Sequence, residues 1–398
     1  MIGMPSVITR VGKDRHAGKQ RLNPPPSDPM NSDLPSVTPP NCAGSYRPDV
    51  ANRQIATRAP DRARFQAAIR RTPSNQVPYY ESEFAPAIVS GVLGKPVDCR
   101  SYDLPAEDYV ELLGRVGVDV GYLHVAWDFG RRRVRDGDGS PAFIDGLIRD
   151  RDDLKAEVRP SLDPVRARIE AFLTAAAHTR LGWIYVLPTP SAVMRAMGYE
   201  AFFLKLYDEP DFVDEVLDRY QEHALAVTEL VLAYRPDAVL LGSNLCQKTG
   251  LIMSREQAER FILSRMDLQM SVVRTAGVPA MLHADGDNSA LMTRWIEMGM
   301  AAIHPCEACP GFDIYELKAR YGGRIALCGN VDVTRVLVPG TPEQVRQETL
   351  MHLERLSPGG GYLCGSSHDV GAQVPLVNLA AMIQAVCDFR GPETGLVR

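Results

Sequence analysis

The sequence predicts an α/β fold, a (β/α)8 TIM barrel preceded by a disordered N-terminal tail, and three observations carry that reading. From Asp61 onward about eight short β-rich runs alternate with longer amphipathic segments, the pattern of βα units on a parallel sheet. The 398 residues leave room for one large barrel, because closed α/β barrels often run to about 250 residues or more as a unit. An open doubly wound sheet would show a glycine-rich phosphate turn after its first strand, whereas here that strand runs into Glu83-Phe84-Ala85-Pro86.

The strand candidates, in order, are Val77 to Glu81, Val120 to Val125, Trp183 to Leu187, Ala238 to Leu241, Ala280 to His283, Ala301 to His304, Arg324 to Cys328 and Gly361 to Cys364. Between them lie helical segments such as Pro164 to His178, Phe212 to Tyr234, Ser254 to Ala276, Pro342 to Leu356 and Val377 to Phe389. Ser254 before Arg-Glu-Gln, and Thr341 before Pro342-Glu343, read as helix starts. Gly277 and Gly299 read as helix ends.

Residues 1–58 differ in kind. They hold Pro24-Pro25-Pro26 and Pro39-Pro40 among Ser, Asn and basic residues, with no apolar periodicity, and are expected to form a disordered tail before a barrel domain spanning 59–398. The tail lacks the apolar or amphipathic stretch of a targeting signal, so the cytoplasm is the expected location.

Composition excludes other classes. Hydrophobic residues at 45% and charged residues at 23% are ordinary for a globular chain, and a net charge of −5 offers no basic surplus for nucleic acid or a membrane surface. No stretch of about 18 uncharged apolar residues is present. Eight cysteines in this length are too sparse for a disulfide scaffold. Nothing in the sequence sets the oligomeric state.

In a (β/α)8 barrel the carboxyl ends of the strands line one pocket, so the polar residues there are the candidates for chemistry. Strand one ends in Glu81-Ser82-Glu83, strand two runs into Trp127-Asp128, and strand four ends in Ser243-Asn244. Strand five ends in His283-Ala284-Asp285, strand six leads to Glu307, strand seven to Asn330 and Asp332, and strand eight to Ser366-Ser367-His368. His283 and Asp285, two apart at a strand end, leave the same face. With His368 they form a set of two imidazoles and a carboxylate that could hold a divalent metal, zinc first, with an open position. The alternative is a metal-free pocket in which the histidines donate protons or anchor substrate. Catalytic roles are therefore expected of His283, Asp285, His368, Glu81 and Glu83, and small-molecule substrate contacts of Trp127, Asp128, Asn244, Glu307, Asn330 and Asp332.

Three further features read more plainly as structure. Cys306-Glu307-Ala308-Cys309 has C-x-x-C spacing but no second ligand pair, with metal binding or redox cycling the lesser reading; Cys328 and Cys364 sit within strands and are expected in the core, with pocket thiolates the alternative; and Arg131-Arg132-Arg133 is a surface charge run that could alternatively hold an anionic substrate.

The segments "LHADG", "WIEMGMAAIHPCEACPGFDIYELKARYGGRIALCGNVD", "VLVPGTPEQVRQE", "SPGGGYLCGSSHDV" and "VPLVNLAAMIQAV" follow one another between Leu282 and Val386. In order and spacing they resemble the uroporphyrinogen decarboxylase superfamily, which includes methylcobamide:coenzyme M methyltransferases. A weaker likeness runs upstream through "WIYVLPTPSAVMRAMGYEAFFLKLYDEPDFVDEVLDRY", so about residues 60–391 are covered. The resemblance implies a (β/α)8 barrel and either decarboxylation or methyl transfer.

Departures from both branches narrow the expectation. Decarboxylases of the family carry an arginine-rich "RQAGRY" after the first strand to hold substrate carboxylates, where this chain reads "VPYYESEFAPAIVSGVLGK" with acidic Glu81 and Glu83. The zinc methyltransferases resemble His-x-Cys at strand five with a cysteine after strand eight, where this chain has His283-Ala284-Asp285 and Ser366 to His368. Carboxylate and imidazole in place of thiolate raise the positive character of a bound metal. The leading expectation is a metal-dependent methyltransferase, linked to a corrinoid on a partner protein, with Glu81 or Glu83 completing the shell or acting as base. A decarboxylase of a porphyrinogen or another small carboxylic acid is the alternative, and a non-catalytic ligand-binding barrel the third reading.

Overall fold

Branched and aromatic residues dominate the predicted runs, and seven of the eight become strands of one parallel sheet. The computed structural model describes residues 54–135 and 141–391. Its strands are β1 (Val120–Leu123), β2 (Arg131–Arg135), β3 (Pro141–Gly146), β4 (Gly182–Leu187), β5 (Ala238–Ser243), β6 (Cys246–Gln247), β7 (Gly250–Leu251), β8 (Ala280–Ala284), β9 (Ala302–His304), β10 (Ala326–Cys328) and β11 (Tyr362–Leu363). The main sheet has seven strands in the order β1-β4-β5-β8-β9-β10-β11, all parallel, with helices at the crossovers.

The expected eighth strand, Val77 to Glu81, is not a regular strand. It makes a single parallel bridge from Tyr79 to Cys364, with Tyr80 N–H donating to the Cys364 carbonyl and Cys364 N–H to the Pro78 carbonyl. On its other side Asp119 N–H donates to the Tyr79 carbonyl at 3.2 Å. The same segment thus touches the chain beside both edge strands, so the sheet is curled and TIM-barrel-like. Pro78 has no N–H to give to a ladder, which limits regular pairing here.

Period-two alternation sorts side chains to two cores. Tyr80, Val120, Ile184, Leu240, Met281, Ala302, Ala326, Cys328 and Leu363 pack together on the inside of the curl. Their neighbours Tyr79, Tyr185, Val239, Leu241, Leu282, Ile303, Leu327 and Cys364 face outward into the layer shared with the helices. Cys328 and Cys364 are both buried core residues, as expected.

The helices start and stop where local chemistry directs. Helix Pro342–Leu356 opens on a capping box, in which Thr341 Oγ1 accepts from Gln344 N and Gln344 Oε1 accepts from Thr341 N. Ser254 caps the next predicted helix by accepting from Gln257 N, but that helix contains a π-helical stretch over Ala258–Leu263. Gly299, at φ 94°, ends helix Met292–Met298.

The expected tail boundary at residue 58 is corrected. Ile55 and Ala56 are buried, both donate backbone N–H groups to the Arg115 carbonyl, and Arg58 donates to the Val77 carbonyl. Two apolar residues in a polar stretch are too few to show periodicity, so the packing was not visible in the sequence. The rest of the predicted tail, residues 1–53, lies outside the described residues.

Two small hairpins, β2–β3 and β6–β7, are additions to the predicted pattern. No described helix is long and apolar enough to cross a membrane.

Candidate active site

Continuing the inward parity of the strands past their last core residue puts polar groups at the carboxyl end of the curl. Met281 faces inward, so His283 and Asp285 do too; Ala302 faces inward, so His304 does. His283 and His304 are register partners across β8 and β9, and their Nδ1 atoms lie 2.9 Å apart. His368, on the loop after β11, brings Nε2 to 3.9 Å from Asp285 Oδ1, while His283 Nε2 lies 3.6 Å from the same oxygen. The three expected site residues therefore converge, 85 positions apart in sequence at the extremes.

The electrostatics follow from this packing. Burial opposes the charge on Asp285, but the adjacent His283, then His368 and His304, hold its carboxyl well below the usual carboxylate range. Burial likewise works against charge on His283, and the Asp285 carboxylate overcomes it and raises the imidazole. His304, buried and repelled by His283, is pushed far down and stays neutral. A neutral His304 accepts the Nδ1–H of His283, which leaves the His283 Nε2 turned toward Asp285.

These groups open into a cavity of about 410 Å³ lined by Tyr102, Tyr122, His124, Trp127, Asn244 and Ser243 along with three arginines, Arg100, Arg131 and Arg195. A second cavity of about 520 Å³ shares Arg100, His368 and Asp369 with the first and continues to Glu83, Lys248, Glu307 and Arg335. His368 thus stands between two chambers.

The remaining expected residues separate. Trp127 lines the first cavity and stacks on Tyr220, whereas Asp128 is exposed and sits 3.8 Å from Arg131. Asn244 lines the first cavity, and Glu83, paired with Arg100, lines the second. Burial and the negative charge of Asp369 push Glu83 up, against the pull of Arg100. Glu307 accepts from Gly286 N at 2.8 Å and so braces the turn that carries Asp285. Asn330 donates to the Cys306 carbonyl, and Asp332 caps the following helical turn by accepting from Arg335 N.

Glu81 is the one expected catalytic residue that lines neither chamber. It shares the outward parity of Tyr79, is buried, and takes Ser366 N at 2.9 Å and Ser366 Oγ at 2.7 Å as partners. Burial pushes its carboxyl up to about 8.

Sequence reasoning missed His304, Arg100 and Arg195, and gave Asp369, a member of the polar cluster after strand eight, no role. His304 carried a usable signal, because it has the parity of Ala302 at a strand end. Asp369, which accepts from Ser82 Oγ at 2.6 Å, immediately follows a residue that was singled out. Arg100 and Arg195 lie away from strand ends and carried none.

Both cysteines of the C-x-x-C pair are free thiols. Cys306 is buried, with burial pushing its thiol up to about 12, and Cys309 is a free thiol raised in the same way.

Two features bear on a metal. Asp285 Oδ1 is shielded from solvent with no hydrogen-bond partner, and His283 has its far nitrogen fixed by a neighbour, as metal-ligating histidines do. The 3.6 and 3.9 Å separations are somewhat longer than the edge of about 3.3 Å that bonds of about 2.0 Å give a tetrahedral site. Among the described residues no three His, Cys, Asp or Glu side chains stand at ligand spacing.

A curled parallel sheet with a polar cleft at the carboxyl ends of its strands defines a TIM-barrel-like α/β protein. Within that class, the uroporphyrinogen decarboxylase (URO-D) family profile matches residues 123–389, and the chain belongs to this family. A uroporphyrinogen decarboxylase of Anaeromyxobacter dehalogenans is 25% identical over 361 residues, covering 82% of this chain and 98% of that protein. One from Methylococcus capsulatus is 28% identical over 189 residues, covering 46% of this chain and 51% of that protein. Among solved structures, a methyltransferase from Methanosarcina mazei superposes with a TM-score of 0.63 at 17% identity, covering 81% of this chain and 97% of the other, a likeness of fold. The expected resemblance to the uroporphyrinogen decarboxylase family is borne out.

Proposed function

We propose that this protein is a metal-dependent methyltransferase acting on a small molecule, with His283, Asp285 and His368 holding a divalent cation, zinc first. The observation that carries the reading is Asp285 Oδ1, shielded from solvent, without a hydrogen-bond partner and flanked by two imidazole nitrogens. A carboxylate oxygen in that state costs stability unless a cation or donor meets it. The cation, when bound, supplies Lewis-acid polarisation of an oxygen of the methyl donor or acceptor.

The chain's own residues do the rest. His304 fixes the His283 ring through the Nδ1 contact, and Glu307 fixes the Asp285 turn through Gly286 N. Two chambers meeting at His368 suit a reaction between two reactants, with the small substrate in the aromatic chamber and the donor, a corrinoid on a partner protein, approaching from the other. On this reading Val77 to Glu81 acts as the eighth stave of a full barrel, and the protein works in the cytoplasm.

The second reading is a decarboxylase of a porphyrinogen or another small carboxylic acid, favoured by the name of the Anaeromyxobacter relative, which the chain spans almost entirely. There His368 and Asp285 would manage protons without a metal.

The test is metal analysis of protein purified without chelator, together with zinc titration of Asp285→Asn. We expect about one equivalent of metal per chain and a large loss of affinity in the variant. A metal-free protein whose weak zinc binding is unchanged in Asp285→Asn would remove the metal centre and leave the decarboxylase.

A further inference from the structure

Three arginines line the aromatic chamber, and two of them are committed. Arg100 pairs with Glu83, while Arg131 donates to the Trp127 carbonyl and sits 3.8 Å from Asp128. The guanidinium of Arg195, on the short helix Val193–Met197, has no hydrogen bond or ion pair among the described residues. It is half-buried, and its Nε–H is shielded from solvent without an acceptor.

An arginine that served only solubility would keep its guanidinium in water, and one that served the fold would be bonded to it. Arg195 does neither fully: its Nε–H is shielded without an acceptor while its Nη groups stay open to the cavity. A donor left in this state costs free energy until an acceptor arrives, and the planar guanidinium fork is matched by a carboxylate, which takes two parallel N–H bonds.

We propose that the chamber binds a small aryl carboxylate, with Arg195 as the residue that holds the carboxylate and sets the preference for an acid. The aryl body follows from the walls, where Tyr102, Tyr122, His124 and Trp127 offer ring faces and edges. Its orientation follows from charge: the acid goes to Arg195, and Asp369 on the same cavity repels a carboxylate, so the rest of the ring lies toward His283 and His368. A cavity of about 410 Å³ suits a ligand of modest size. Glu81 and Glu83, which stand where the family's decarboxylases have arginines, would repel a substrate bearing many carboxylates if both faced it. The structure relieves this repulsion, since Glu81 faces away from the chamber and Glu83 is paired with Arg100.

This inference deepens the methyltransferase reading by naming its substrate class, and its test is one of binding alone. Benzoate and benzamide, which share a ring and differ in charge, are titrated calorimetrically into the full chain, Arg195→Met and Arg195→Lys. We expect the unsubstituted protein to favour benzoate by about tenfold or more, the gain of a charge-assisted pair over a neutral one. Arg195→Met should bring the ratio near one, and Arg195→Lys should keep part of it. Thermal melting of Arg195→Met should match or exceed that of the unsubstituted chain, because no bond is lost and a shielded unpaired donor is removed. A benzoate preference that survives Arg195→Met, or a parent chain that binds benzoate no better than benzamide or not at all, overturns the proposal. Either failure leaves the metal stoichiometry unaffected, and a metal-free protein leaves the benzoate preference unaffected, so the two readings fall separately.

Discussion

Ser366 Oγ meets two oxygens, Glu81 Oε2 at 2.7 Å and the His368 carbonyl, yet a hydroxyl has one proton to give. If Glu81 were ionised, one of these contacts would set acceptor against acceptor. A protonated Glu81 donates to Ser366 Oγ, which then donates to the His368 carbonyl, in agreement with burial pushing Glu81 up to about 8. Glu81 is thus a positioning residue for the His368 loop. Its folded-state pKa lies above the unfolded value of 4.5, so its contribution to stability is full below that value and is lost as pH rises through about 8. Glu81→Gln, which mimics the neutral acid, should flatten the fall in melting temperature between about pH 5 and 8, with a remaining slope from Glu83. Equal pH slopes in the two proteins would show that Glu81 is ionised in the fold. At this scale the sequence yielded His283, Asp285 and His368 because strand ends and period-two parity are local patterns. It could not yield Arg195, whose meaning lies in a missing partner.

The elements show where such local patterns fail. Seven strands were legible because each is an apolar run bounded by turn residues, and Val77 to Glu81 looked the same although it pairs through one bridge only. The hairpin of β2 and β3 was hidden by the charge of Arg131-Arg132-Arg133, which has no apolar alternation to betray a strand. The turn after β8 has the clearest functional stake. Gly286 has φ 74°, and a Cβ there would stand 2.4 Å from the Gln247 backbone carbon. Gly286→Ala must therefore move either the turn or the β6–β7 hairpin, at a cost of about 1 to 3 kcal/mol. Because Gly286 follows Asp285 directly and its N–H is held by Glu307, the carboxylate should move with it. We expect a lower melting temperature and weaker zinc binding than in the parent chain. Unchanged values of both would show that the turn has room to spare.

At the scale of the whole molecule, the curled sheet and its family were readable from the order of motifs, whereas the point at which folding begins was not. Apolar periodicity needs several residues to register, and the first packed segment offers only Ile55 and Ala56 before polar chain resumes. Those two side chains are nonetheless buried, Ala56 against Gly117, where a Cβ would approach to 2.5 Å. Backbone bonds from both to Arg115, and from the Arg58 guanidinium to the Val77 carbonyl, tie the segment to the helix Ala106–Val116 and to the strand-like stretch that carries Glu81 and Glu83. Cutting the chain after residue 58 removes this clasp, and cutting after residue 53 removes none of it. Burial of one isoleucine is worth about 1.5 to 3 kcal/mol, and the hydrogen bonds add about 1 kcal/mol each. The Δ1–58 truncation should therefore melt several degrees below Δ1–53, with the loss concentrated where Val77 meets the sheet. Amide hydrogen exchange at Tyr80 and Cys364, whose N–H groups bond across that junction, should be faster in Δ1–58 than in Δ1–53. Identical melting and exchange in the two truncations would place the start of the folded unit at residue 59, as composition alone suggests.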